Sequence, residues 1–222
     1  MPGVRRRAPV LRYDPPGEGR SMSAIDRHRS RYTKEQLERL PPGQVITEKW
    51  PVLTAGPNPR IDLAAWRFRL SGLIEGELSV SWDQFKALPR VRITTDMHCV
   101  TRWSRLGTTW EGVSIHEIVK RVKLLPAAKF VLAHSYGGYT TNLPVADLMD
   151  REVLLADTND GEALSIDHGG PMRLVVPKLY AWKSAKWCRE IEFMESDRQG
   201  FWENYGYHNH GDPWTEERMW RE

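Results

Sequence analysis

Short strand-like runs, each broken by a single helix signal and never arranged as a regular strand–helix–strand repeat, constrain this chain more than any other feature. Trp66-Arg67-Phe68-Arg69-Leu70 alternates apolar and polar residues, the pattern of a strand with one buried face. Residues 77–80, 91–95, 129–133, 153–156, 173–176 and 186–194 read as further strands, the last with Trp187, Ile191 and Phe193 on one face. Thr33-Lys34-Glu35-Gln36, Ser81-Trp82-Asp83-Gln84 and Ser114-Ile115-His116-Glu117 each carry the hydroxyl-then-Glu/Gln spacing of a capping box. The third opens a helix over 115–122, with Ile115, Ile118, Val119 and Val122 on one face. Leu143-Pro144 leads a helix over 145–149 with proline in its first turn, and Asn159-Asp160-Gly161 marks a tight turn. Strands and isolated helices in this order define an α+β protein.

The chain has 222 residues, 40% of them hydrophobic, with ten tryptophans, enough for a sizeable core with an aromatic component. Residues 1–44 read as an extended basic N-terminal arm, with Pro15-Pro16-Gly17 and Pro41-Pro42-Gly43 as turns, and residues 45–222 as one domain. A net charge of +3 is too mild for a dedicated nucleic-acid binder but leaves room for a local anion pocket. Two cysteines, Cys99 and Cys188, make no disulfide framework. Arg5-Arg6-Arg7 lacks the apolar stretch that an export signal needs, since 8–31 is polar and charged. No apolar run approaches the roughly 18 residues of a membrane span. The expectation is a cytoplasmic protein without a membrane span or nucleic-acid partner.

Three distant segments carry candidate chemistry. The first is His98-Cys99-Val100-Thr101-Arg102-Trp103-Ser104-Arg105. Its cysteine follows a strand and has two arginines nearby, and cationic neighbours favour the metal-binding thiolate. A small buried thiol at a strand end fits the same residues. The second runs from Asp167-His168-Gly169-Gly170-Pro171-Met172-Arg173 to Lys183-Ser184-Ala185-Lys186. Glycines permit close backbone approach, and the basic and hydroxyl side chains suit a phosphate. A Gly-Pro turn before a surface-charged strand fits equally. The third, Gly200 to His210, offers Tyr205 and Tyr207 as hydroxyl donors, or an aromatic tail packed over the domain. His208 and His210 alone are a weak metal signal.

Taken in order, these motifs resemble the molybdenum domain of the sulfite oxidase family from about Val45 to Trp214. The matching features are the strand-end Cys99 ahead of a turn at Trp110-Glu111-Gly112 and the helix from Ile115, then Tyr139 to Pro144, the block Asp167 to Pro177, and Lys183 to Trp187. The family includes plant sulfite oxidase, assimilatory nitrate reductase and the bacterial methionine-sulfoxide reductase catalytic subunit. The resemblance implies a sulfite oxidase-type molybdopterin-binding fold and a molybdenum–molybdopterin cofactor with one pterin dithiolene. It implies that Cys99 ligates molybdenum, and that Ser135, His168, Arg173, Ser184, Ala185 and Lys186 hold the pterin and its phosphate. Lys49-Trp50 are implied to cover the pterin. Tyr207 is implied to face the metal's oxygen, with Tyr205 as competitor and Trp202 matching a family tryptophan. Arg102, with Arg105, is the expected hook for a substrate oxyanion.

The chain departs from the family in its His-Cys-Val-Thr-Arg context, and the expectation is a protein without the family's immunoglobulin-like dimerisation domain. The expected function is two-electron oxygen-atom transfer on a sulfite-like oxyanion or an S- or N-oxide, with electrons exchanged with an external donor or acceptor. A non-catalytic cofactor-binding or interaction protein that retains the fold is the alternative from another class.

Overall fold

A computed structural model describes residues 30–220; most of the basic arm expected over 1–44 lies outside the described residues. The first helix, α1 (Lys34–Glu38), opens on a complete capping box between Thr33 and Gln36. Leu40 and Gln44 are already buried, so the packed body takes in residues ahead of Val45.

Two sheets dominate. The first is built round β6 (Trp103–Ser114), which pairs in antiparallel fashion with β5 (Val91–His98) and β10 (Leu154–Asn159). Its first residues pair in parallel with β1 (Val45–Ile46). β11 (Glu162–Ala163) and β12 (Arg173–Val175) extend this sheet from β10. The second sheet runs in the order β4 (Leu78–Ser81), β2 (Arg67–Gly72), β13 (Cys188–Met194), β8 (Phe130–Ser135), β9 (Thr140–Pro144). A small ribbon joins β3 (Ile74–Glu75) to β7 (Lys123–Leu124).

The period-two pattern survives in β2, where Phe68 and Leu70 are buried and Arg67 and Arg69 exposed. Phe68, Trp66, Phe85, Ile115, Ile118, Leu143, Leu148 and Phe193 share one core, each fully or almost fully buried. Burying side chains of this size contributes about 1.5–3 kcal/mol apiece. The helix α2 (Trp82–Lys86) keeps the Ser81–Gln84 capping box and turns Phe85 into that core. Gly112 is required because β10 runs against it: a Cβ there would stand 2.0 Å from the Leu155 carbonyl oxygen.

Three local expectations shift. Trp110-Glu111-Gly112 is not a turn but the interior of the twelve-residue β6. Helix α3 (Ile115–Val119) ends a turn early, and only half of its expected capping box forms. The Ser114 hydroxyl accepts from the His116 amide at 3.3 Å, while Glu117 is drawn to Lys120 and Arg121. Pro144 is the last residue of β9 and precedes α4 (Val145–Leu148), so proline sits outside the helix and not in its first turn.

Candidate active site

A cavity of about 320 Å3 opens at the rim of the first sheet. Its walls include Trp50, Thr54, Met97, Cys99, Thr101, Trp103, Tyr139, His168, Arg173, Trp182, Ser184, Lys186, Trp202 and Tyr207. Cys99 reaches it because β5 ends at His98 and the chain doubles back into β6. The Cys99 amide donates to the Trp103 carbonyl at 2.8 Å, and the Arg102 amide donates to the Cys99 carbonyl at 3.0 Å. Arg102 takes the left-handed corner of this turn, φ 73°. The Cys99 sulfur lies 3.2 Å from the Thr101 hydroxyl. Burial pushes the thiol up from its ordinary range, opposed by the Thr101 contact and by the charge of Arg218. The basic group acting on the thiol is therefore Arg218, not the nearby arginines that the sequence suggested.

The cationic wall comes from one stretch. A 3-10 turn (Ile166–His168) ends at Gly169, whose φ of 103° suits glycine. The His168 ring stacks on Trp50 with centroids 3.7 Å apart and planes 8° from parallel. Burial and the charges of Lys186 and Arg173 lower its pKa to about 4, so the ring is neutral at pH 7. Arg173, on β12, is 3% exposed. Its Nη1 donates to the His168 carbonyl at 2.9 Å and its Nη2 to the Ser184 carbonyl at 2.7 Å, leaving its buried Nε–H without a partner. Burial lowers it to about 10. The Lys186 ammonium donates to the Thr54 hydroxyl at 3.0 Å and the Asp167 carbonyl at 2.6 Å; burial and Arg173 lower it to about 8. The Ser184 hydroxyl accepts from the Val176 amide at 2.9 Å.

Much of the remaining wall is aromatic. Tyr207 stacks on Trp202 (5.0 Å, 19°) and meets Trp182 edge-on (5.1 Å, 81°). Trp182 is fixed by its indole N–H donating to Glu203 at 2.9 Å, and Glu203 in turn pairs with Lys183 at 2.6 Å, both side chains fully buried. The Tyr139 hydroxyl donates to the Trp182 carbonyl at 2.6 Å.

Of the residues singled out from sequence, the structure brings Cys99, Tyr207, His168, Arg173, Ser184 and Lys186 to this one cavity. Tyr205 is 69% exposed and does not line it. Arg102 is turned out by its corner position: its guanidinium lies over Gly43 beside Glu216. Arg105 bonds Thr108, Asn159 and Asp160 and is likewise not in the wall. Ser135 faces a smaller pocket with His134, Gly137, Gly138 and Arg189, its buried hydroxyl unpartnered. The Ala185 side chain is in the main core and its carbonyl accepts from the Leu174 amide. His210 is held between Asp147 and Glu217 at 2.9 Å each.

Sequence reasoning missed Met97, Trp182, Gln44 and Arg218. Arg218 is 4% exposed and donates to the Val100 carbonyl at 2.7 Å, and Gln44 donates to the Cys99 carbonyl at 3.0 Å. No local pattern marks either one, because each acts through a backbone carbonyl far away in sequence.

Among the described residues no group of three or more His, Cys, Asp or Glu side chains is arranged to hold a metal. A metal at Cys99 therefore needs further ligands from a cofactor. The walls fit such a group. The Arg173 Nε–H and the Trp103 indole N–H are buried donors with no acceptor, and of the two cations, Arg173 and Lys186, it is Lys186 that a carboxylate, Asp167, acts on. An anionic, flat ligand answers both.

The model of the oxidoreductase molybdopterin-binding domain family matches residues 55–202, and the chain belongs to that family. It is 42% identical over 186 residues to an uncharacterized oxidoreductase, YuiH, of Bacillus subtilis, covering 83% of this chain and 94% of that one. It is 26% identical over 234 residues to the protein-methionine-sulfoxide reductase catalytic subunit MsrP of Xanthomonas campestris, covering 93% and 72%. The crystal structure of the sulfane dehydrogenase SoxCD from Paracoccus pantotrophus superposes with a TM-score of 0.57 at 19% identity, over 80% of this chain and 56% of that chain. The fold is the sulfite oxidase-type molybdopterin-binding fold, the protein is an oxidoreductase, and its cofactor is molybdenum–molybdopterin. Among the described residues no helix is long and apolar enough to cross a membrane.

Proposed function

We propose that this oxidoreductase carries out two-electron oxygen-atom transfer on a small molecule, an S- or N-oxide or a sulfite-like oxyanion, at a metal ligated by Cys99. The observation that carries the reading is the convergence, on one cavity, of a thiol, a tyrosine hydroxyl and a cationic wall drawn from three distant segments. When bound, the cofactor supplies the redox-active metal, the metal's other soft sulfur ligands and the capacity to exchange an oxygen atom with substrate. The chain's own groups do the rest. Arg173 and Lys186 hold the cofactor's phosphate by charge-assisted hydrogen bonds, while the Trp50–His168 stack, neutral on its His168 side, closes over the pterin. Tyr207 offers its hydroxyl to the substrate oxygen. Its phenol is held protonated by burial, so it acts as a donor. Trp182 and Trp202 exclude water from that side.

Elemental analysis for molybdenum, fluorescence of the oxidised pterin and steady-state turnover test this, on wild type and on Cys99→Ser. Wild type is expected to carry both metal and pterin. Cys99→Ser is expected to lose turnover almost completely. A serine variant that turns over normally would sink the assignment of Cys99. So would a wild-type protein without molybdenum from a host that makes the cofactor.

A further inference from the structure

We propose that Arg218 is a positioning residue of this site, a buried cation that fixes the Cys99 turn against the segment carrying Tyr207 and raises the reduction potential of the metal bound at Cys99. The proposal rests on the reading of Cys99 given above. Arg218 is 4% exposed, and its guanidinium donates through Nη1 to the Val100 carbonyl at 2.7 Å and through Nη2 to the Pro42 carbonyl at 3.3 Å. It lies over the buried Tyr180 ring, 5.0 Å from the centroid. The carboxylate paired with it, Glu216, stands 3.6 Å away and is 45% exposed. Its buried contacts are thus two carbonyl oxygens and a ring, none of which cancels its charge. A cation held in the interior this way is costly, and its field is weakly screened. That field reaches Cys99.

The geometry joins the ligand turn to the support of Tyr207. The Val100 carbonyl belongs to the peptide that leads into Thr101. The Arg218 bond therefore fixes the plane from which Thr101 places its hydroxyl 3.2 Å from the Cys99 sulfur. Gln44 grips the preceding carbonyl, that of Cys99, at 3.0 Å, but as a neutral amide. On its own segment, the Arg218 carbonyl accepts from the His208 amide at 3.1 Å, next to the bridge between Tyr207 and Met219. Tyr180 in turn stacks on Trp182 (5.2 Å, 19°), which meets Tyr207 edge-on. One side chain thus holds both the turn that presents the thiol and the aromatic group that backs the phenol. A positive charge beside a metal ligand stabilises the more reduced metal, so the potential rises. Groups outside the ligands commonly tune a metal in this way.

The test uses the cofactor-loaded enzyme. It reads the metal's potential by redox titration followed by electron paramagnetic resonance, alongside metal content and turnover. Arg218→Met removes the charge and is expected to shift the potential to more negative values. Arg218→Lys keeps the charge and is expected to hold the potential close to that of wild type. An ammonium cannot span both carbonyl oxygens as the guanidinium does, so kcat is expected to fall about 10-fold in both variants. A structural role alone would not separate their potentials. Where Arg218→Met loads no metal, Glu216→Gln decides. It removes the paired carboxylate at an exposed position and is expected to shift the potential to more positive values, by less than Arg218→Met shifts it down. An unchanged potential in Arg218→Met, an equal fall in Arg218→Lys, an unchanged or lowered potential in Glu216→Gln, or unaltered kcat in both Arg218 variants overturns the proposal and leaves Cys99 as the ligand. Wild type without molybdenum, or normal turnover in Cys99→Ser, overturns the reading of Cys99 and this proposal with it.

Discussion

The two ends of the cavity are made in different ways. The cationic end comes from a single stretch, 168–186, whose groups bond to one another's backbone: Arg173 reaches the carbonyls of His168 and Ser184, and Lys186 that of Asp167. The Cys99 side of the wall is gathered from the β5–β6 turn, the 3-10 turn at Ala181–Lys183 within that same stretch, helix α5 (Phe201–Asn204) and the segment that follows it. That segment closes on itself, with Tyr207 bridged to Met219, the His208 amide donating to the Arg218 carbonyl and the Trp220 amide to that of Gly206. It thereby delivers Tyr207 to the cavity and Arg218 beneath it. In the proposed reading, holding the cofactor falls mainly to one stretch, with Trp50 and Thr54 added from far away in sequence, whereas shaping the reaction depends on long-range contacts throughout. Damage at the two ends should look different.

The largest effect is expected at the cationic end. Arg173→Met removes the guanidinium and strands two buried carbonyl oxygens, at a cost of about 2–4 kcal/mol. Molybdenum content should fall to a small fraction of wild type, with the unfolding midpoint lowered alongside it. Metal analysis and urea unfolding check the two together. Full metal content in this variant would mean that the cationic wall is not the cofactor's anchor. Tyr207→Phe probes the other end with a smaller effect: kcat should drop about 10–100-fold, as for the loss of one transition-state hydrogen bond, with metal content unchanged. Loss of metal in Tyr207→Phe would erase the division of labour between the ends.

The same division explains what was legible in the sequence. The cationic end could be read from Asp167 to Lys186 because its residues are neighbours in the chain as well as in space. The strands were legible wherever one face is buried, as in β2, and the capping boxes at Thr33 and Ser81 formed as spelled. The interior of β6 was not legible, since Trp110-Glu111-Gly112 signals a turn locally and becomes a strand only because β5 and β10 flank it. Arg102 misled for a related reason. Proximity to Cys99 in sequence suggested proximity in space, but a left-handed corner between them sends the guanidinium away. Arg218, more than a hundred residues downstream, reaches the Cys99 turn through a backbone carbonyl that no side-chain pattern records. The two cysteines show the same limit. Cys188 is fully buried on β13 with its thiol pushed up to about 12, while Cys99 lines the cavity, and only the fold separates them.

The smallest predicted effect concerns the pin that holds the segment carrying Tyr207 and Arg218. His210 sits between Asp147 and Glu217, and those carboxylates raise its pKa above 6.5 against the opposing effect of burial. A raised folded-state pKa stabilises while the ring is protonated. The contribution is complete below about pH 6.5, the unfolded value, and is lost as pH rises through the folded value. His98 and His168, both lowered to about 4 by burial, act in the opposite sense at lower pH. The informative window therefore lies above about pH 6.5. The His210 side chain is 35% exposed, so solvent screening keeps the effect below about 1 kcal/mol. Wild type should lose that increment of unfolding free energy across the window, and His210→Gln should show a flatter profile. Amide exchange should quicken in 206–220 of the variant while Arg173 and its neighbours stay protected. Equal quickening around Arg173 would show that the two ends of the cavity are held as one unit.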